Sequence, residues 1–309
     1  MEKIFIQNLN GGDIKIAAHV YFPNNFDPTQ RYPAIVVSHP GGGVKEQASG
    51  LYAQKLAAAA NFITIAYDAS FQGESTGLPR QLENPHVRTE DISAVIDYLT
   101  TLAYVDAQNI GAIGICAGAG YSANAAINDR RIKALGTVSM VNIGQMFRNG
   151  WENTVQDHDT LPLLAMGSAA RSEDAQAMDL QALPLAPMTK EDAPNPELEE
   201  AWEYYHTPRC EHPNAPGFMT TRSLTQIIAY DAYHEAEAFL TQPIFSVIGE
   251  HAGSAWMTHN LHQRARSEQK SIQVIQGANH MSLYDREPFV AEAVAGLTQF
   301  FKTFLNTEA

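Results

Sequence analysis

The feature that most constrains the fold of this chain is an alternation of short, predominantly apolar segments with longer helical ones. The apolar segments are residues 34–37, 62–67, 110–115 and 134–141. Strands buried on both faces have this character. The segments between them, residues 45–60, 88–102 and 117–127, carry apolar side chains at helical spacing. The alternation predicts an α/β fold with a mostly parallel sheet covered on both sides.

The ends of the chain extend this pattern. Residues 3–7 and 14–22 place apolar side chains at every second position, which predicts an antiparallel N-terminal hairpin. After Pro243 two more strands, 243–248 and 271–275, alternate with helices near 256–267 and 287–305.

The alternation stops between these two parts. Residues 144–240 show no strand signal, many prolines, and two short helical patterns at 196–205 and 223–240. We therefore predict a core made of residues 1–143 and 241–309, with residues 144–240 inserted before the seventh strand as a helical lid.

Composition excludes several classes of function. The 309 residues include 20 Lys and Arg against 34 Asp and Glu, a formal charge of −14, which is the wrong sign for neutralising nucleic-acid phosphates. Neither a signal peptide nor an apolar run of about 20 residues is present, so we expect neither export nor a membrane span. Two distant cysteines, Cys116 and Cys210, provide neither a disulfide framework nor a zinc site and favour the cytoplasm.

The segment with the clearest chemistry is Gly114-Ile115-Cys116-Ala117-Gly118, where an apolar strand runs directly into a helix. Such a sharp turn exposes its central residue, and small residues two before and two after it avoid clashes. The helix N-terminus is expected to lower the pKa of the Cys116 thiol. The backbone N–H of Ala117 would face a developing oxyanion.

Two other interpretations of this segment remain open. Free cysteines are commonly small buried hydrophobes. Residues 118–123 also match a Gly-x-Gly-x-x-Ala dinucleotide-binding pattern, but Val138, Ser139 and Met140 occupy the positions where an acid is required.

A base and an acid are sought after the last two strands. His280 follows residues 271–275 and is the last of eleven histidines, which fits the chain order nucleophile, acid, histidine. Glu250 follows residues 243–248 and is the best candidate for the acid, although Ala252 stands where an aspartate would complete Gly-x-x-Asp. The alternatives are an acid elsewhere in the chain, or a dyad in which other groups orient His280, since a thiol ionises far more easily than a serine hydroxyl.

Three glycines after the third strand predict a second oxyanion donor. Gly41 and Gly42 lie in Ser38-His39-Pro40-Gly41-Gly42-Gly43, where the backbone can come close to a substrate. A phosphate-binding loop would require a Gly-Lys-Ser/Thr ending, which is absent. In the predicted lid, Trp151, Tyr204 and Tyr205 would line an acyl pocket only if the lid closes over Cys116.

Taken together, these motifs resemble the α/β-hydrolases of the dienelactone hydrolase-like type, and within them the polyketide transferase-like subgroup. The resemblance rests on His39 to Gln47, Asp68 to Arg80, Gly114 to Gly118 and Gly277 to Asp285, with Tyr204-Tyr205 and Pro208-Arg209 in the lid. It implies the α/β-hydrolase fold and a Cys-His-acid hydrolase or acyltransferase for small esters, lactones or thioesters.

The sequence thus leads to one main hypothesis and two rivals. The main one is an esterase-, thioesterase- or acyltransferase-like enzyme with a small-molecule acyl substrate, no cofactor, no metal and a possible homodimer. The first rival is a non-catalytic ligand-binding protein of the same fold, and the second is an NAD-dependent oxidoreductase. The sequence leaves open the natural substrate, the acyl acceptor, the identity of the acid and the role of Cys210.

Overall fold

The computed structural model describes residues 1–177 and 180–305 and contains an eight-stranded sheet and a two-stranded one. The strands are β1 (Glu2–Gln7), β2 (Lys15–Tyr21), β3 (Tyr32–Ser38), β4 (Ile63–Tyr67), β5 (Val105–Ile115), β6 (Ile132–Val138), β7 (Ala182–Pro184), β8 (Phe218–Thr220), β9 (Ile244–Gly249) and β10 (Lys270–Ile275). In the large sheet their order is β1-β2-β4-β3-β5-β6-β9-β10. The pairs β1/β2 and β2/β4 are antiparallel and the others parallel, which confirms the predicted sheet and its N-terminal hairpin.

The helices connect and cover the strands. They are α1 (Ala48–Ala60), α2 (Pro85–Thr100), α3 (Ala117–Asn128), α4 (Ile143–Asn149), α5 (Leu161–Ala177), α6 (Pro196–His206), α7 (Leu224–Ile227), α8 (Ala236–Phe239), α9 (Ala255–Arg264), α10 (Ser282–Asp285) and α11 (Phe289–Phe304). The start of α1 differs from the prediction because the N–H of Lys45 donates to the buried Asp68 carboxylate, and the helix begins at Ala48. α2 begins where the Asn84 side chain caps it and Pro85 supplies a compatible φ.

Apolar side chains cover both faces of the large sheet. In β3, Ala34 and Val36 belong to one cluster, together with Ile92 of α2, and Ile35 and Val37 belong to the other. Helices α1 and α11 pack on this second face. The carboxyl ends of the parallel strands therefore meet at one edge of a sheet that is rigid on both sides.

Residues 144–240, called here the inserted segment, connect the neighbouring strands β6 and β9. The expectation of no strand in it was wrong, because β7 and β8 form a short antiparallel pair. Residues 223–240 do not form one helix, since Glu235 has a left-handed φ of 62° between α7 and α8. Helix α5 was missed because it is mostly exposed and has little apolar periodicity.

The inserted segment packs on the sheet's own core. Its buried side chains Met219 and Ile227 share one apolar cluster with the sheet, and Tyr204 shares the other. The division into a core of residues 1–143 and 241–309 and a lid of residues 144–240 stays a prediction.

Candidate active site

Cys116 lies at the turn between β5 and α3. Its φ of 56° and ψ of −125° are strained for a residue with a side chain. A Cβ on Gly114 would lie 2.1 Å from the carbonyl oxygen of Gly118, and one on Gly118 would lie 2.5 Å from that of Ser38. The turn therefore closes only with glycine at both positions, which is the steric reason behind the Gly-x-Cys-x-Gly spacing.

Two backbone N–H groups beside Cys116 lower the pKa of its thiol. They belong to Ala117, the first residue of α3, and to Gly41. A first-turn N–H of a helix has no intrahelical partner and is free to bind an anion. A Cβ on Gly41 would lie 3.7 Å from that of Ala117, whereas one on Gly42 would lie 3.2 Å from Leu185 of the inserted segment. The structure thus brings Gly41 and Ala117 together at the thiol, and Gly42 lies against Leu185.

The ionisation of the thiol differs from the sequence expectation. Burial raises the pKa of Cys116, and hydrogen bonds from the Tyr284 hydroxyl and from the N–H groups of Ala117 and Gly41 offset this only in part. The helix N-terminus alone would have lowered the pKa. At neutral pH the resting group is therefore a thiol.

A buried cation anchors the start of the glycine loop. Arg88 is 2% exposed, and its guanidinium donates to the carbonyl oxygen of His39 at 2.8 Å. It pairs with the buried Glu83 at 3.4 Å and lies over the ring of Tyr121 at 4.7 Å. These contacts compensate the burial of the charge and fix the peptide that leads into Gly41.

His280 follows β10 and lies in the same cavity as Cys116. It is 1% exposed, and both of its ring nitrogens have partners: Nδ1 lies 2.6 Å from Ser254 Oγ, and Nε2 lies 3.2 Å from the Tyr284 hydroxyl. Burial lowers the pKa of His280 to about 3. The imidazole is therefore neutral at pH 7 and able to accept a proton.

The structure does not bring Glu250, the sequence candidate for the acid, to the ring of His280. The Glu250 carboxylate accepts a hydrogen bond from the N–H of Gly277 at 2.9 Å and lies 3.6 Å from His251 Nε2, with the side chain 40% exposed. The fully buried Ser254 occupies the place beside Nδ1. Sequence reasoning missed Ser254 because it searched this loop only for carboxylates.

A second carboxylate acts on the histidine loop through its backbone. Glu197, at the start of α6 in the inserted segment, accepts from the N–H of His280 at 2.7 Å. It also accepts from Trp151 Nε1 at 2.6 Å and from the N–H of Gly253 at 3.1 Å. One carboxylate thus ties the inserted segment to the loops that carry His280 and Ser254. Nothing in the spacing of the sequence indicated this contact.

The cavity over Cys116 is small and mostly apolar. Its volume is about 60 Å³, and the Trp151 and His280 rings meet edge to face at 4.7 Å. Tyr205 lines it, whereas Tyr204 is buried elsewhere and accepts from the N–H of Ala48. The lining residues are Gly41, Cys116, Ala117, Val141, Ile143, Met146, Trp151, Leu185, Ala186, Leu198, Ala201, Tyr205, His280, Met281 and Tyr284.

Within the described ranges, no group of three or more His, Cys, Asp or Glu side chains is arranged to hold a metal ion. In the same part of the chain, no helix has both the length and the apolarity needed to cross a bilayer.

Comparison with known proteins identifies close relatives. The uncharacterized protein YcjY of Escherichia coli is 61% identical over 303 residues, 98% of this chain and 99% of YcjY. The uncharacterized protein PA2218 of Pseudomonas aeruginosa is 34% identical over 277 residues, 88% of this chain and 73% of that protein. A protein named thiohydrolase, from Eupenicillium brefeldianum, is 31% identical over 108 residues, 35% of each chain. No family model matches the chain.

Solved structures establish the fold. The crystal structure of PA2218 superposes with a TM-score of 0.88 and 32% identity, over 98% of this chain and 93% of that one. The α/β-hydrolase GrgF from a Penicillium species superposes with a TM-score of 0.77 over 98% of both chains, at 17% identity. The architecture is therefore the α/β-hydrolase fold, as the sequence predicted.

Proposed function

Because this chain belongs to the same family as YcjY and PA2218 and has the α/β-hydrolase fold, we propose that it is a hydrolase or acyltransferase that works through a covalent acyl-enzyme on Cys116. Its substrates would be small esters, lactones or thioesters, as in the dienelactone hydrolase-like group. The inserted segment would act as its lid. The two free cysteines fit a reducing compartment such as the cytoplasm.

One observation carries this proposal: Gly41 and Ala117 line the cavity with Cys116, and their backbone N–H groups lower the pKa of its thiol. A carbonyl carbon attacked by the thiol would place its oxygen between these two donors. Preorganised donors of this kind stabilise the oxyanion that develops in the transition state, and removing one such donor costs about 100- to 1000-fold in kcat.

The reaction starts from a neutral pair. His280 accepts the proton of the Cys116 thiol as sulfur bonds to the acyl carbon, and the resulting imidazolium returns a proton to the leaving alcohol or thiol. Water, or a second acyl acceptor, then attacks the thioester of Cys116 and releases the acyl group. Ser254, which replaces a carboxylate at Nδ1, fixes the ring orientation without supplying a negative charge.

Turnover of p-nitrophenyl acetate and of an acetyl thioester of N-acetylcysteamine tests this proposal. Cys116→Ala is expected to lower kcat/KM at least about 1000-fold. Cys210→Ala is the matched control, because the thiol of Cys210 lies outside the cavity residues and contacts Tyr204. Equal turnover by Cys116→Ala and the wild type would exclude the proposal.

A second function is favoured by the raised pKa of Cys116 and by Ser254 in place of a carboxylate at His280. Both features would suit a non-catalytic protein that binds a small apolar ligand beside Cys116. This alternative predicts saturable binding of a hydrophobic fluorescent probe that Leu185→Trp weakens, together with no turnover of either substrate by the wild type.

A further inference from the structure

Tyr284 is a buried residue that touches both reacting groups of the site. It lies on α10, four residues after His280, and its side chain is 1% exposed. Its hydroxyl lies 3.2 Å from His280 Nε2 and is near enough to Cys116 to lower the pKa of the thiol. The residue also lines the cavity into which the thiol opens.

The Tyr284 hydroxyl lies between the His280 ring and the Cys116 thiol. Nδ1 is paired with Ser254, and Nε2 is paired with Tyr284. The Tyr284 hydroxyl is the side-chain group that lowers the pKa of the thiol by hydrogen bonding, and Cys116, His280 and Tyr284 line one cavity. The phenol oxygen is therefore placed to pass a proton from the sulfur to Nε2.

We propose that Tyr284 is a catalytic proton relay between Cys116 and His280. As sulfur bonds to the acyl carbon, the S–H proton moves to the phenol oxygen and the phenol proton moves to Nε2. Tyr284 ends as a neutral phenol, His280 as imidazolium, and the acyl carbonyl as an oxyanion held by Gly41 and Ala117. Protonation of the leaving group returns the imidazolium proton through the same hydroxyl.

The surroundings of Tyr284 fit a relay better than a base. Burial raises the pKa of Tyr284 well above its usual value, so the residue stays a phenol and passes a proton without holding a charge. The neighbouring Tyr205 hydroxyl can donate to the carbonyl oxygen of Gly41 at 3.3 Å. The relay requires the His280 tautomer with its proton on Nδ1, where Ser254 Oγ accepts it.

The relay rests on the proposed role of Cys116, and the first experiment isolates it. In stopped-flow acylation by p-nitrophenyl acetate, Tyr284→Phe is expected to slow the burst about 10- to 100-fold. Tyr204→Phe is the matched control, because it removes the hydroxyl of an equally buried tyrosine whose ring lies 5.1 Å from that of Tyr284. A burst of wild-type rate in Tyr284→Phe would overturn the relay and leave the function of Cys116 intact.

A second measurement needs no variant. The burst rate of the wild type is measured in mixtures of H2O and D2O and plotted against the deuterium fraction of the solvent. We expect a curved plot, because two protons move together in the relay. A straight line would indicate one proton in flight and would overturn the relay even if Tyr284→Phe failed to fold.

Alkylation of Cys116 by iodoacetamide covers the case in which the wild type shows no acyl turnover. The rate at pH 8 is expected to fall about 10-fold in Tyr284→Phe and less than about twofold in Tyr204→Phe. If both variants react at the wild-type rate, the Tyr284 hydroxyl has no part in the ionisation of the thiol.

Discussion

The loops of the sheet and the inserted segment contribute different things to the site. Cys116 and His280 follow strands β5 and β10, so the sheet itself brings the thiol and the imidazole to one edge. The inserted segment contributes Glu197, which holds the backbone of His280, and Tyr205 and Leu185, which close the cavity. The sheet sets where Cys116 and His280 lie, and the inserted segment sets their surroundings.

The two regions therefore affect different properties of Cys116 and His280: the sheet determines their positions, and the inserted segment changes their pKa values. The same side chains at an open sheet edge would be solvated, and their pKa values would lie near those of free cysteine and histidine. Burial under the inserted segment instead raises the pKa of Cys116 and lowers that of His280. The chemistry of the pair is therefore a property of both regions together.

The largest expected effect concerns the sheet side of the comparison. Gly114→Ala would place a Cβ 2.1 Å from the carbonyl oxygen of Gly118, and the turn at Cys116 would have to move. We expect a loss of about 3 kcal/mol in the free energy of unfolding and at least about 100-fold in kcat/KM, measured by urea denaturation and p-nitrophenyl acetate turnover. Gly11→Ala is the control, because Gly11 has a φ of 100° but open space at its Cβ, so it reports backbone strain alone. Equal stability losses in the two variants would contradict the clash.

The next effect decides between two residues of one loop. Ser254→Ala removes the partner of His280 Nδ1, and we expect kcat/KM to fall about 10- to 100-fold because the ring loses its fixed orientation and tautomer. Glu250→Gln keeps an acceptor for the N–H of Gly277 and should change kcat/KM less than about twofold. The opposite ranking would restore Glu250 as the acid expected from the sequence.

On the side of the inserted segment, Glu197→Ala removes the acceptor of three N–H groups. We expect a loss of about 2 kcal/mol in the free energy of unfolding and about 10-fold in kcat/KM, because the backbone of His280 is no longer held. Glu199→Ala, on the same helix and paired with the exposed Lys190, should change both by far less. If Glu197→Ala lost stability without losing activity, the inserted segment would contribute packing but not the position of His280.

The fold could be predicted from the sequence, and Cys116 and His280 could be singled out, because both follow from strong patterns. Continuous apolar runs mark the buried strands. Only glycine fits two residues before Cys116 and two residues after it. The position of His280 follows from chain order along a parallel sheet, whose strands end at one edge. These signals depend on neighbouring residues or on the sheet as a whole.

The supporting contacts depend on distances in space that no local pattern records. Glu197 reaches His280 across 83 positions of sequence, from a helix whose own pattern says only that it is amphipathic. Ser254 takes a place where a carboxylate is common, and a serine in a loop carries no distinctive signal. The sequence predicts a lowered pKa for the Cys116 thiol, because the helix N-terminus is a local feature that the sequence shows. Burial, which raises this pKa, depends on the whole fold.

The pH dependence of catalysis tests the burial that the inserted segment imposes. With a pKa of about 3, His280 stays neutral and competent as a base well below pH 6.5, the usual value for histidine. We expect kcat/KM for p-nitrophenyl acetate to show no decline between pH 7.5 and 5, measured where circular dichroism shows the protein folded. The unfolded chain takes up the proton first, so the contribution of His280 to stability is complete above pH 6.5 and is lost as the pH falls toward 3. A decline in kcat/KM centred near pH 6.5 would mean that the cavity is open to water.

The smallest expected effect concerns the boundary between the cavity and the surface. Leu185 lines both the cavity over Cys116 and a neighbouring groove with Pro184, Pro187 and Met188, so its side chain lies at the boundary between them. Leu185→Ala should connect them and raise kcat/KM for p-nitrophenyl hexanoate relative to the acetate about three- to tenfold, because the space opened would bury about one or two of the four additional methylenes at about 0.8 kcal/mol each. Leu180→Ala, at an exposed leucine of the same segment, should leave this ratio unchanged. An unchanged ratio in Leu185→Ala would mean that longer acyl chains enter by movement of the inserted segment as a whole, and the boundary between the two regions would then lie at its hinges and not at Leu185.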